Sequence, residues 1–120
     1  MEHTEEAELA AQVAAEKWLT QIDFANYDES YNLAAESFKS QVSLDEWKES
    51  IKAVQEQFGT VLSRALSTKQ YATELPGAPD GEYVVIQYET TFENKQHGTE
   101  TVTPMKDKDG EWRVSGYFVK

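Results

Sequence analysis

The spacing of hydrophobic residues in this chain changes once, at Gly59, and no other feature narrows the fold as far. Before Gly59 the apolar residues recur at intervals of three and four, the spacing of helices that bury one stripe. After it they alternate with polar residues, and Val, Thr and Tyr become common, as in half-buried strands. Helices followed by strands predict an α+β domain in which helices cover one face of an antiparallel sheet. With 120 residues there is room for one domain, spanning residues 1–120.

The helical half divides into three expected helices, over about 4–23, 27–37 and 44–58. Thr4 is the expected cap of the first, with acidic residues in the turn where the helix dipole favours them. Ala11, Ala14, Ala15, Trp18, Leu19 and Ile22 share one face of it, opposite Glu8, Gln12, Glu16 and Thr20. Leu9 and Val13 fall off that stripe and predict a second contact on a flank. Asn26, with Glu29 three residues on, reads as a capping box for the second helix, whose apolar face holds Tyr27, Tyr31, Ala34 and Phe38. For the third, Ser43 and Glu46 form a capping box, and Val42 and Trp47 a hydrophobic staple. Trp47, Ile51, Val54 and Phe58 are its buried stripe, and Gly59 ends it.

Four strands are expected after Gly59, over about 60–75, 83–92, 99–105 and 112–119. The turns between them hold Pro76 to Gly81, Asn94 to Gly98 and Asp107 to Gly110, and connections this short predict a meander. Val84, Ile86, Tyr88, Phe92, Trp112, Val114 and Phe118 are expected to face the helices. Gln87, Glu89, Thr91, Thr99, Thr101, Thr103, Arg113, Ser115 and Tyr117 are expected to face out.

Charge excludes some partners. Eleven Lys and Arg against 22 Asp and Glu give a net charge of −11, spread along the chain, which repels phosphate backbones and anionic lipids. No nucleic acid and no membrane are therefore expected as partners. There is no cysteine, so disulfides, thiol nucleophiles and thiolate metal sites are out. The start, Met1 to Glu6, has neither a basic segment nor an apolar run, so no signal peptide is expected within the chain.

Candidate chemistry is sparse. His3 lies at the terminus and His97 in an expected turn beside Gly98, places that do not hold a catalytic base rigidly. Asp107, Asp109 and Glu111 around Gly110 lack the ligand spacing of a calcium loop and read as a hairpin turn. No metal, cofactor or catalytic residue is expected. What remains is a set of rings, Trp18, Tyr27, Tyr31, Trp47, Tyr88 and Trp112, that would either pack the core or line an apolar pocket, with Asp23 and Asp28 near its rim. A binding or structural module for a small ligand or protein partner follows from that set. The competing expectation is a small isomerase- or dehydratase-type enzyme using Tyr and Asp as acid and base. Self-association is expected to be absent or weak, a homodimer through the outer sheet face.

The order of helices and meander resembles the cystatin-like and nuclear-transport-factor-two-like α+β folds. More particularly, Trp18-Leu19, the run Leu75 to Thr90 beginning Leu-Pro-Gly-Ala-Pro-Asp-Gly-Glu-Tyr, the run Glu100-Thr-Val-Thr-Pro-Met and the run Trp112-Arg-Val-Ser-Gly-Tyr resemble the bacterial family catalogued as domain of unknown function 4019. That resemblance implies a fold and, because such proteins often carry export signals, a periplasmic or envelope location. It implies no catalytic residues.

Overall fold

The computed structural model describes residues 2–120, with side chains from Thr4 onward. Helix α1 spans Glu2–Asp23, α2 Tyr27–Asn32, α3 Glu36–Gln41 and α4 Leu44–Phe58. The strands are β1 Val61–Ala72, β2 Tyr83–Phe92, β3 Lys95–Lys106 and β4 Trp112–Val119. They form one antiparallel meander, ordered β1-β2-β3-β4. Helix α1 lies on the inner face of this sheet and touches all four strands. Ala11, Ala15, Trp18, Leu19 and Ile22 meet Val84, Ile86, Tyr88, Val102 and Val114 there, closing a continuous apolar core.

Four helices replace the expected three. The segment 27–37 is broken at Ala34 and Ala35, both wholly buried, where the Ala35 N–H leaves the helical pattern and donates to the Val114 carbonyl of β4 at 2.8 Å. A methyl side chain lets the backbone come that close to the sheet edge. The Asn26 box does not form either: the Asn26 side chain accepts no cap bond, and its amide N–H donates to Gln21 Oε1 at 3.1 Å. Helix α1 begins at Glu2, so Thr4 lies within its first turn and is not its cap. The His3 side chain lies outside the described residues.

The capping box of α4 forms as read. Ser43 Oγ accepts from the Glu46 N–H, and Glu46 Oε1 accepts from the Ser43 N–H at 2.9 Å. Trp47, Ile51 and Phe58 are buried beneath it. Gly59 follows at φ 80, where a Cβ would lie 2.9 Å from that of Glu93.

In the sheet, β3 begins at Lys95, so most of the expected turn from Asn94 to Gly98 is strand, and His97 is an exposed strand residue. Gly98 serves close approach there, since a Cβ would meet the Phe92 ring at 2.7 Å. A second correction concerns β4. Val102 pairs with Tyr117, Thr103 with Gly116 and Pro104 with Val114, which leaves Ser115 as an extra residue. Such a bulge moves the alternation by one place and exchanges the faces beyond it. Tyr117 consequently points inward, against expectation, and Phe118 points out with 60% of its surface exposed.

Candidate functional site

The six rings expected to share a pocket divide among four places. Trp18 and Trp47 stack with centroids 5.6 Å apart, and both indole N–H groups donate at 2.9 Å to the buried Ser30, one to its carbonyl and one to its Oγ. Phe38 joins Trp47 to Tyr31, whose hydroxyl donates to the Val42 carbonyl at 2.7 Å. Tyr88 stands apart on β2, buried, with its hydroxyl 3.3 Å from Glu16 Oε2. Burial, and then the Glu16 charge, push its phenol pKa up. Trp112 is half-buried against the core at the start of β4. Tyr27 lines an open cleft, and Trp112 borders a groove beside α1.

Beneath α1 the structure holds a charged cluster that the sequence pattern did not single out. Glu100, only 1% exposed, points inward from β3. Its Oε1 accepts from Arg64 Nε at 2.6 Å and Thr90 Oγ1 at 2.7 Å, and its Oε2 accepts from Arg64 Nη2 at 3.1 Å and from the Tyr117 hydroxyl. Arg64 also grips Asp23, the last residue of α1, through Nη1 at 2.8 Å and Nη2 at 3.1 Å. One guanidinium thus ties the end of α1 to two strands, using the planar fork that suits two carboxylates. Two carboxylates hold the Arg64 proton more tightly still, although burial opposes its charge. The Tyr117 phenol is pushed far up by burial and then by the Glu100 charge. No buried side-chain nitrogen or oxygen among the described residues lacks a hydrogen-bond partner.

The open cleft lies at the same end of α1, where it meets α2 and α4. It encloses about 670 Å³ and is lined by Gln21, Ala25, Asn26, Tyr27, Asp28, Glu29, Lys48 and Lys52. Its shape follows from how α1 ends. The Asn26 N–H donates to the Gln21 carbonyl and the Ala25 N–H to the Ile22 carbonyl, the paired bonds of a Schellman stop. That stop sets Ala25 at φ 61, a left-handed conformation usually left to glycine. The chain then turns sharply, so Tyr27 and Asp28 face Lys48 and Lys52 of α4. Lys48 Nζ pairs with Asp28 at 3.1 Å, and Lys52 forms no ion pair among the described residues. Of the two expected rim carboxylates, Asp28 is here and Asp23 belongs to the Arg64 clamp.

The acidic turn between β3 and β4 is neutralised from within. Arg113 Nη2 donates to Asp109 at 2.8 Å and Nη1 to Asp107 at 3.2 Å, and this guanidinium holds the Asp109 carboxyl down at about 2. Among the described residues, no three His, Asp or Glu side chains gather into a metal-binding group. No helix among them is long and apolar enough to cross a membrane.

Compared with known families, residues 14–117 match the sequence profile of one described as "Protein of unknown function (DUF4019)". No curated protein matches the chain.

Proposed function

The chain belongs to this family of unknown function, and from that premise, which carries no activity, we propose that it is a non-catalytic binding module whose ligand site is the cleft between α1, α2 and α4. One observation carries the reading: the rings and charges of the interior are engaged with one another, while Tyr27, Lys48 and Lys52 stand together at an open surface. In a chain of net charge −11, Lys48 and Lys52 balance Asp28 and Glu29 and make this lining neutral, with the Lys52 ammonium unpaired beside a tyrosine ring among the described residues. They suit a small ligand or peptide that presents an anionic group next to a flat apolar part. The packing of α1 on a meander supports a place among cystatin-like or nuclear-transport-factor-two-like folds. Resemblance alone supports a location in the bacterial envelope. The alternative of an isomerase- or dehydratase-type enzyme would rest on Tyr27 and Asp28 in the same cleft; desolvation raises the Tyr27 phenol, which keeps its proton and leaves only the acid's part to it.

Titration with a panel of aromatic carboxylates, followed by amide nuclear magnetic resonance, tests the reading. Shifts are expected at Tyr27, Lys48 and Lys52, and Lys48→Glu with Lys52→Glu should weaken binding by at least about tenfold in a chain that stays folded, its melting temperature lowered only slightly by loss of the exposed Lys48–Asp28 pair. Shifts centred elsewhere, or affinity unchanged in the double variant, would refute this site.

A further inference from the structure

The face of α1 turned away from the sheet is not polar throughout. Leu9 and Val13, expected to touch something on a flank, are each 61% exposed, left largely uncovered by the described residues. With Ala10, Ala14 and Trp112 they line a groove of about 540 Å³ bounded by Glu6 and Lys17 on α1 and by Glu111 before β4. Neither Glu6 nor Lys17 forms an ion pair among the described residues. Leu9 and Ala14, Ala10 and Val13, and Glu6 and Lys17 are three pairs centred on one point of the helix, between Ala11 and Gln12. A two-fold axis through that point would lay each larger side chain on a small one and each charge on its opposite.

We propose that this groove is the docking site for a second copy of the chain, with the two α1 helices packed antiparallel. Ala10 and Ala14 let the backbones approach, Leu9 and Val13 fill the space, and Glu6 meets Lys17 of the partner subunit. Charge chooses the orientation, since a parallel pair would set Glu6 against Glu6 and Lys17 against Lys17. The surface is separate from the ligand cleft and from the outer sheet face carrying Phe118, so each can be altered alone.

Sedimentation equilibrium of the full chain tests this. The parent chain should be dimeric, Val13→Gln monomeric at the same concentration, and Lys17→Glu at least about tenfold weaker, whereas Glu6→Lys with Lys17→Glu, which restores the net charge, should recover the dimer. Lys52→Glu adds the same charge elsewhere and should change association much less than Lys17→Glu. Circular dichroism melts check that each variant is folded, which is expected because the altered positions are exposed. A parent chain monomeric up to about 1 mM overturns the proposal. So does a dimer that survives Val13→Gln, or one that is lost in Phe118→Ser but kept in Val13→Gln.

Discussion

Glu100 shows how a single residue decides what the inner face of the sheet can do. At 1% exposure its carboxylate is tolerable only because the Arg64 fork, Thr90 and Tyr117 all donate to it. The pairing also fixes the behaviour of Tyr117. Its phenol pKa is raised in the folded chain above the ordinary value of 10.0, so above about pH 10 the unfolded chain loses a proton that the folded chain keeps. Stability from this group is therefore complete below about pH 10 and declines as pH rises beyond it. Urea midpoints at pH 9 and 11 should fall less steeply with pH in Tyr117→Phe than in the parent chain, and an equal fall in both would disprove the linkage. Part of this cluster was legible. The threonines at 99, 101 and 103 imply that residue 100 faces inward, yet a lone Glu between threonines reads as a solvated strand. Its partner was hidden because β1 carries register shifts near Leu62 and Ser67, which erase the alternation that would have aimed Arg64 inward.

At the scale of elements, local chemistry was readable wherever it acts within a few residues. The Ser43 and Glu46 box and the Gly59 stop appear where the sequence places them, since their partners lie within a turn. The break at Ala34 and Ala35 was not readable, because its cause is a carbonyl on β4 nearly eighty positions away. The bulge at Ser115 was likewise invisible to an alternation rule that assumes no extra residue. Helix α1 ends with a left-handed Ala25, which strains a Cβ that glycine would not carry. Ala25→Gly should raise stability by about 0.5–1 kcal/mol, the strain relieved less the added freedom of the unfolded chain. Thermal unfolding measures it, and a lower melting temperature in the variant would contradict the reading of that helix end.

Taken whole, the molecule is a sheet closed by α1 on its inner face, locked at one end by Arg64 and packed along its length by rings. Aromatic content made a core certain, but composition does not distinguish rings that fill a space from rings that line one. Distances do so here: Trp47 and Tyr117 each lie within ring-contact range of Trp18, and both buried indoles are anchored to Ser30. The binding proposed above is thereby assigned to an outer surface. Hydrogen exchange of the three tryptophan indole N–H groups tests this most directly, because they give separate signals from sites of different burial. The indoles of Trp18 and Trp47 should exchange only as the whole domain unfolds, with Trp112 faster, and ligand at the cleft should leave the first two unshifted. Fast exchange at Trp18 or Trp47 in the folded protein, or a ligand-induced shift there, would mean that the interior opens and that the binding site lies within it.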